Sequence, residues 1–195
     1  MEAHSHDQHQ HEHHAIPEGG AALTGMAVSA TLHCLTGCAI GEVAGMAIGT
    51  GLGLANGTTV LLSVVLAFLF GYTLTSLPLL RAGMALAAVV PIALASDTLS
   101  IATMEVVDNL IMVVVPGAID AMLSDILFWG SLSFSLAVAF VVTVPVNRWL
   151  LARGKGHAAV HATGIHGGPP TRVVGAVVIG MAIFGTTVLI ADALA

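Results

Sequence analysis

His33, Cys34, Cys38 and Glu42 sit in the run Thr-Leu-His-Cys-Leu-Thr-Gly-Cys-Ala-Ile-Gly-Glu, inside an apolar stretch long enough to cross a bilayer. Thiols, imidazoles and carboxylates are the side chains that hold transition metals. At 100° per residue, Cys34, Cys38 and Glu42 fall within roughly 80° of one another on a helix, with His33 on the flank. Ionisable groups are costly inside a span and usually face a protein interior or a water-filled path, so this pattern marks a site. Thiols four residues apart can also act as a local redox pair, although helical Cα atoms at that spacing lie near the upper end of disulfide reach.

A second polar face follows in 97–112. Asp97, Met104, Asp108 and Met112 share one side of a helix, with Glu105 at its edge. Packed against the Cys face, this helix would add carboxylate and thioether ligands. The same acids have a plainer use as neutral, hydrogen-bonded groups within a bundle, and Asp97 has one as a helix cap. Single methionines such as Met26, Met46, Met84, Met122 and Met181 are ordinary core filler; only Met104 and Met112 stand on the acid-bearing face.

Two thiols with imidazole and thioether favour Cu(I), with Zn(II) and Fe(II) as the alternatives that carboxylates admit. A thiol must lose its proton to bind metal, so metal entry releases protons that an acidic face can accept. The expected chemistry is therefore movement of a metal between a Cys34/Cys38 site and Glu42, Glu105 and Asp108. A haem, flavin or dinucleotide enzyme finds no motif here. A thiol redox or electron-transfer enzyme and a membrane-anchored metal sensor or chaperone remain as alternatives.

These residues need a membrane bundle to position them. The 195-residue chain is 56% hydrophobic and only 8% charged, against about a quarter charged in soluble domains. The pattern predicts an all-α, polytopic transmembrane bundle with five spans at 22–54, 57–80, 83–116, 122–151 and 172–194. The third is too long for a ~30 Å core and is expected to break near Pro91 and Ser96-Asp97 into a half-helix 83–95 and a polar part. Residues 21–153 form the core of four spans, 154–171 a basic, His-bearing loop, and 172–195 a last helix. Of His157, His161 and His166, two are four apart, a spacing that can ligate metal, but all three are expected to be solvated in that loop. Residues 1–20, with His4, His6, His9, His11, His13 and His14 among polar neighbours, form a disordered tail suited to metal capture. No cleavable secretory leader is expected.

All five basic residues, Arg81, Arg148, Arg153, Lys155 and Arg172, fall on one side of this topology. That side is expected to be cytoplasmic, with the N-terminus on it and the C-terminus outside. No basic patch supports nucleic-acid binding. Gly37, Gly41, Gly45 and Gly49 recur every fourth residue, a close-packing row for another helix of this chain or of a second copy. Five spans are few for a transporter, so a homo-oligomer, dimer or trimer, is expected in the bilayer.

His33-Cys34 to Cys38 and Glu42, Arg81-Ala-Gly-Met, Asp97-Thr-Leu-Ser, Met104-Glu105-Val-Val-Asp108-Asn109 and Phe128-Trp129-Gly together resemble a bacterial membrane family, the domain of unknown function 4396. The resemblance spans about residues 25–160 and implies a bacterial inner-membrane location. Members are sometimes labelled copper-related or "copper oxidase", which implies copper without giving a reaction. The tail and the fifth span lie outside it.

Overall fold

The computed structural model describes residues 19–165 and 171–194; the His-rich tail and His166 lie outside the described residues. Five helices are long and apolar enough to cross a membrane, and the chain is a multi-pass helical membrane protein. They are α1 (Gly20–Gly51), α2 (Asn56–Arg81), α3 (Leu86–Val114), α4 (Ile126–Leu151) and, after the short α5 (Ala158–His161), α6 (Thr171–Ala193). No strand occurs among the described residues.

The first two connections are closed by the same local chemistry. Gly53 and Gly83 have φ of 64° and 88°, the left-handed conformation that ends a helix. Leu54 N–H then donates to Gly49 O at 2.9 Å, and Met84 N–H to Leu79 O at 3.2 Å. Paired with the tighter bonds from Gly53 to Thr50 and from Gly83 to Leu80, these satisfy the last carbonyls of α1 and α2. Both connections turn within four residues, which makes α1, α2 and α3 antiparallel neighbours.

The glycine row sets how close α1 and α2 come. Gly37, Gly41 and Gly45 face Gly71, Ala67 and Ser63, and a Cβ at any of them would collide with α2 backbone; Gly49 faces the Thr59 side chain. The second copy considered as a partner for this row is therefore excluded from it. Its partner is a small-residue row on α2, Thr59, Ser63, Ala67, Gly71 and Thr75, also spaced by four and buried along its length. Both backbones gain dispersion contacts that larger side chains would prevent.

The expected break in the third span does not occur. α3 runs unbroken through Pro91 and Ser96-Asp97. Pro91 forgoes one backbone bond near the start of the helix, as Pro78 and Pro145 do within α2 and α4. In a bundle of this kind such losses are absorbed locally. The Ser96 hydroxyl bonds back to Ile92 O at 2.8 Å. Asp97 is fully buried mid-helix, so it caps nothing.

Apolar side chains such as Leu61, Leu69, Val106, Leu110, Phe134 and Val141 point outward, while hydroxyls and acids line the interior. Ser131, Ser135, Ala139, Thr143 and Asn147 form a buried row along α4. Asn147 ties three helices together: it donates to the Thr31 hydroxyl of α1 at 2.9 Å and accepts from Ser100 of α3. α6 stands at the periphery. Trp129 of α4 holds it by stacking edge-on to Phe184 and lying against Gly185, with its indole N–H bonded to Leu123 O at 2.9 Å.

Candidate metal centre

Cys34 points from α1 toward α3, where its thiol donates to Asp97 Oδ1 at 3.8 Å. His157 approaches the same oxygen from outside the spans, with Nδ1 at 3.1 Å. Ligand atoms of Cys34, Asp97 and His157 all lie within 4.8 Å of one another, and all three residues are buried. A thiol, a carboxylate and an imidazole from three separate segments thus surround one point. Neither ring nitrogen of His157 makes a well-aligned hydrogen bond, and Asp97 Oδ2 has no partner. Buried polar atoms left this way are rare, and three such groups about one point form a candidate cation site.

The chain's path explains how His157 gets there. Gly154 and Gly156, with φ of 65° and 61°, turn the segment after α4 back toward the bundle. Ala158 then packs with Leu23, Ala27 and Leu151, and Val160 with Leu79 and Val89. The segment plugs the basic end of the bundle, which corrects the expectation of a solvated loop: apolar burial of Ala158 and Val160 carries His157 inward with it. Burial pushes the His157 imidazole down to about 4, His161 adds like-charge repulsion, and the Ser96 backbone opposes the shift. At pH 7 it is neutral, the form that binds metal.

His33 is a neighbour of this group. Its ring lies edge-on to His157 with centroids 5.4 Å apart. Nε2 pairs with the Thr75 hydroxyl of α2 at 2.7 Å, while buried Nδ1 has no partner.

The remaining candidates lie farther along the bundle axis. Cys38 is not in the three-ligand group; it packs with Met104, Ile101, Ala67 and Ala139 in a central layer, its thiol beside the Glu105 carboxylate. Both cysteines are free and buried. Beyond that layer, Glu42, Glu105 and Asp108 line one cavity of about 50 Å³ together with Met46, Met112 and Ser63. Ser135 donates to Asp108, whereas both carboxylate oxygens of Glu42 and of Glu105 lack partners. Cys34 and Glu42 are eight residues apart on α1, so roughly 12 Å separates the two groups along the helix. The single face expected from the sequence is divided into a cluster at the basic end, a soft middle and an acidic cavity.

The model of one family, described as Domain of unknown function (DUF4396), matches residues 25–156. The chain belongs to this family. No curated protein and no solved structure matches it. The DUF4396 match takes in α1 from its second turn through α4, stops one residue short of His157, and leaves α6 outside.

Sequence reasoning passed over His157, Thr75, Met46 and the polar rows of α2 and α4. The four-residue spacing of Thr59 to Thr75 and of Ser131 to Asn147 was a readable signal for those rows. For His157 the only signal was Ala158 and Val160 beside it, too short a pattern to show that the loop folds inward.

Proposed function

We propose that this chain binds a transition-metal ion between Cys34, Asp97 and His157 and carries it into the bundle interior. The observation that supports this most is the convergence of three unlike ligand types, from α1, α3 and the segment after α4, within 4.8 Å in a buried site. One thiolate, one imidazole and one carboxylate form a borderline donor set with room for a fourth ligand. That moves Zn(II) to the front, with Fe(II) beside it, and moves Cu(I) behind them, because the two-thiol argument for Cu(I) needed Cys38 in the same group. His33, with Nδ1 unpartnered and its ring 5.4 Å from that of His157, is a reserve ligand.

The same reading puts the basic end, with Arg81, Arg148, Arg153 and Lys155, in the cytoplasm of a bacterial cell and the C-terminus outside. Metal then enters from the end of the bundle at which α1 begins. A dimer or trimer belongs to this proposal only through faces other than the glycine row.

Co(II) titration of purified full-length protein tests it, because a thiolate ligand gives a near-ultraviolet charge-transfer band that tail histidines cannot. The band is expected in wild type, lost in Cys34→Ala and kept in Cys38→Ala. A band that survives Cys34→Ala, or none in wild type, overturns the assignment. Zn(II) uptake into proteoliposomes, lost in Cys34→Ala, tests the transport half of the proposal.

A further inference from the structure

The acidic cavity is a different kind of site from the Cys34 cluster. Glu42 and Glu105 are 6% and 5% exposed, and all four of their carboxylate oxygens lack hydrogen-bond partners while both residues line the same cavity. Asp108, also in its wall, is held in place by Ser135. Its volume of about 50 Å³ suits a bare ion or a water and excludes an organic ligand. No Lys or Arg occurs in α1 or α3. Three carboxyl groups around one small cavity inside a bilayer need positive charge from another source, either protons or a bound cation.

A second cavity, about 190 Å³, adjoins this one through the shared lining residues Met46, Val60 and Ile119. Asn56, Asp120 and Met122 form part of its wall, and all three are exposed at the end of the bundle opposite the basic residues. The acidic cavity thus lies next to a space lined by residues exposed at that end.

We propose that Glu42, Glu105 and Asp108 form a second cation site, for a hard divalent ion, separate from the Cys34 cluster and in the opposite half of the bundle. Three carboxylates, with the Ser63 hydroxyl in the same wall, favour such ions over the soft ones that the Met46 and Met112 thioethers alone would hold. An arriving ion displaces the protons that otherwise neutralise the carboxyl groups, so binding here is a cation-for-proton exchange. The inference rests on reading the chain as a cation-handling membrane protein but not on the Cys34 site itself.

Mn(II) binding to the full-length protein in detergent, followed by electron paramagnetic resonance, is the test. One tight Mn(II) is expected, weakened about tenfold or more by Glu42→Gln or by Glu105→Gln and unchanged in Cys34→Ala. The Co(II) thiolate band, measured on the same Glu42→Gln sample, is expected to persist and shows that the bundle is intact. Absence of Mn(II) binding in wild type overturns the proposal. So does Mn(II) binding that survives the Glu42→Gln/Glu105→Gln/Asp108→Asn triple variant, or loss of both signals in Glu42→Gln. Failure of the Co(II) band with Mn(II) binding intact would instead remove the Cys34 site and leave this one standing.

Discussion

The two ends of the bundle interior differ in how they treat buried ionisable groups. At the basic end, Cys34, Asp97, His33 and His157 come from three helices' worth of separate chain and meet one another, with Thr75 and Ser100 nearby. At the other end, the carboxylate oxygens of Glu42 and Glu105 make no well-aligned hydrogen bond, and the polar side chains beside them are Asp108 and Cys38. Both ends use the same face of α1 and the same face of α3, so helix periodicity does not separate them. The difference comes from what closes each end. The segment after α4 brings an imidazole inward, whereas the connection between α3 and α4 brings Ala118 and Ile119 to the acidic cavity and no polar side chain. One end gathers thiol, carboxylate and imidazole from within the chain; the other leaves its carboxylates facing a space.

The sharpest way to break this contrast is His157→Ala. Removing a primary ligand is expected to weaken Co(II) or Zn(II) binding at the Cys34 cluster by about 100-fold, the upper end of what loss of an outer partner costs. Mn(II) binding at the acidic cavity is expected to stay at the wild-type level. Equal losses at both would mean that the two ends are one site, or that the plug holds the whole bundle together.

Gly41→Ala acts on both ends together. Its Cβ would meet the Ala67 backbone, which cannot swing aside as a side chain can, so α1 and α2 must separate. Overpacking of this kind costs ~1–3 kcal/mol, and thermal unfolding in detergent should show it. Gly49→Ala meets only the Thr59 side chain and should cost less, while Gly25→Ala meets nothing within 4 Å and should be neutral. Equal melting temperatures for Gly41→Ala and Gly25→Ala would contradict the close α1–α2 contact.

A smaller effect is expected from Asn147→Ala, which cuts the link from Thr31 to Ser100 beside Cys34. A hydrogen bond between membrane helices is worth on average about 0.6 kcal/mol. The expected outcome is a melting shift smaller than that of Gly41→Ala and a modest weakening of Co(II) binding. A loss of Co(II) binding as large as that of His157→Ala would make Asn147 part of the ligand set.

Much of this was legible in the sequence. Length and hydropathy specify five spans, but spans drawn at 22–54 and 83–116 place inside helices the two glycines, Gly53 and Gly83, that make the turns. The faces carrying Cys34, Cys38 and Glu42, and Asp97, Met104 and Asp108, follow from a 100° period. What periodicity cannot give is rotation and depth. It does not say that Asp97 lies level with Cys34 while Glu105 and Asp108 lie level with Glu42, because that depends on how α3 is seated against α1. It overvalued Pro91 as a breaker, since one lost backbone bond is a small term in a helix of 29 residues held on its inner face. It also treated His157 by the composition of its loop, although two apolar neighbours and two glycines were enough to fold that loop inward.

A further expected effect, confined to one short segment, is a pH dependence of the plug itself, measured on metal-free protein. Docked His157 has its imidazole pushed down to about 4, whereas an undocked histidine titrates near ~6.5. Above the higher value neither state is protonated, and docking is fully favoured. As pH falls through the interval between the two, the undocked segment takes up a proton that the docked one does not, so docking weakens, by at most about tenfold per pH unit; below the lower value the loss levels off. Asp97 and His33 face the same imidazole, and His161 stands beside it, so the observed slope belongs to the whole group. His157→Gln isolates one member: the variant should lose most of the slope while keeping the apolar contacts of Ala158 and Val160. Amide exchange across Ala158–His161, corrected for the intrinsic effect of pH on exchange, should show less protection at pH 5 than at pH 7.5 in wild type. If protection is the same at both, the imidazole is not buried beside Asp97, and the ligand set at this end loses the member that distinguishes it from the acidic cavity.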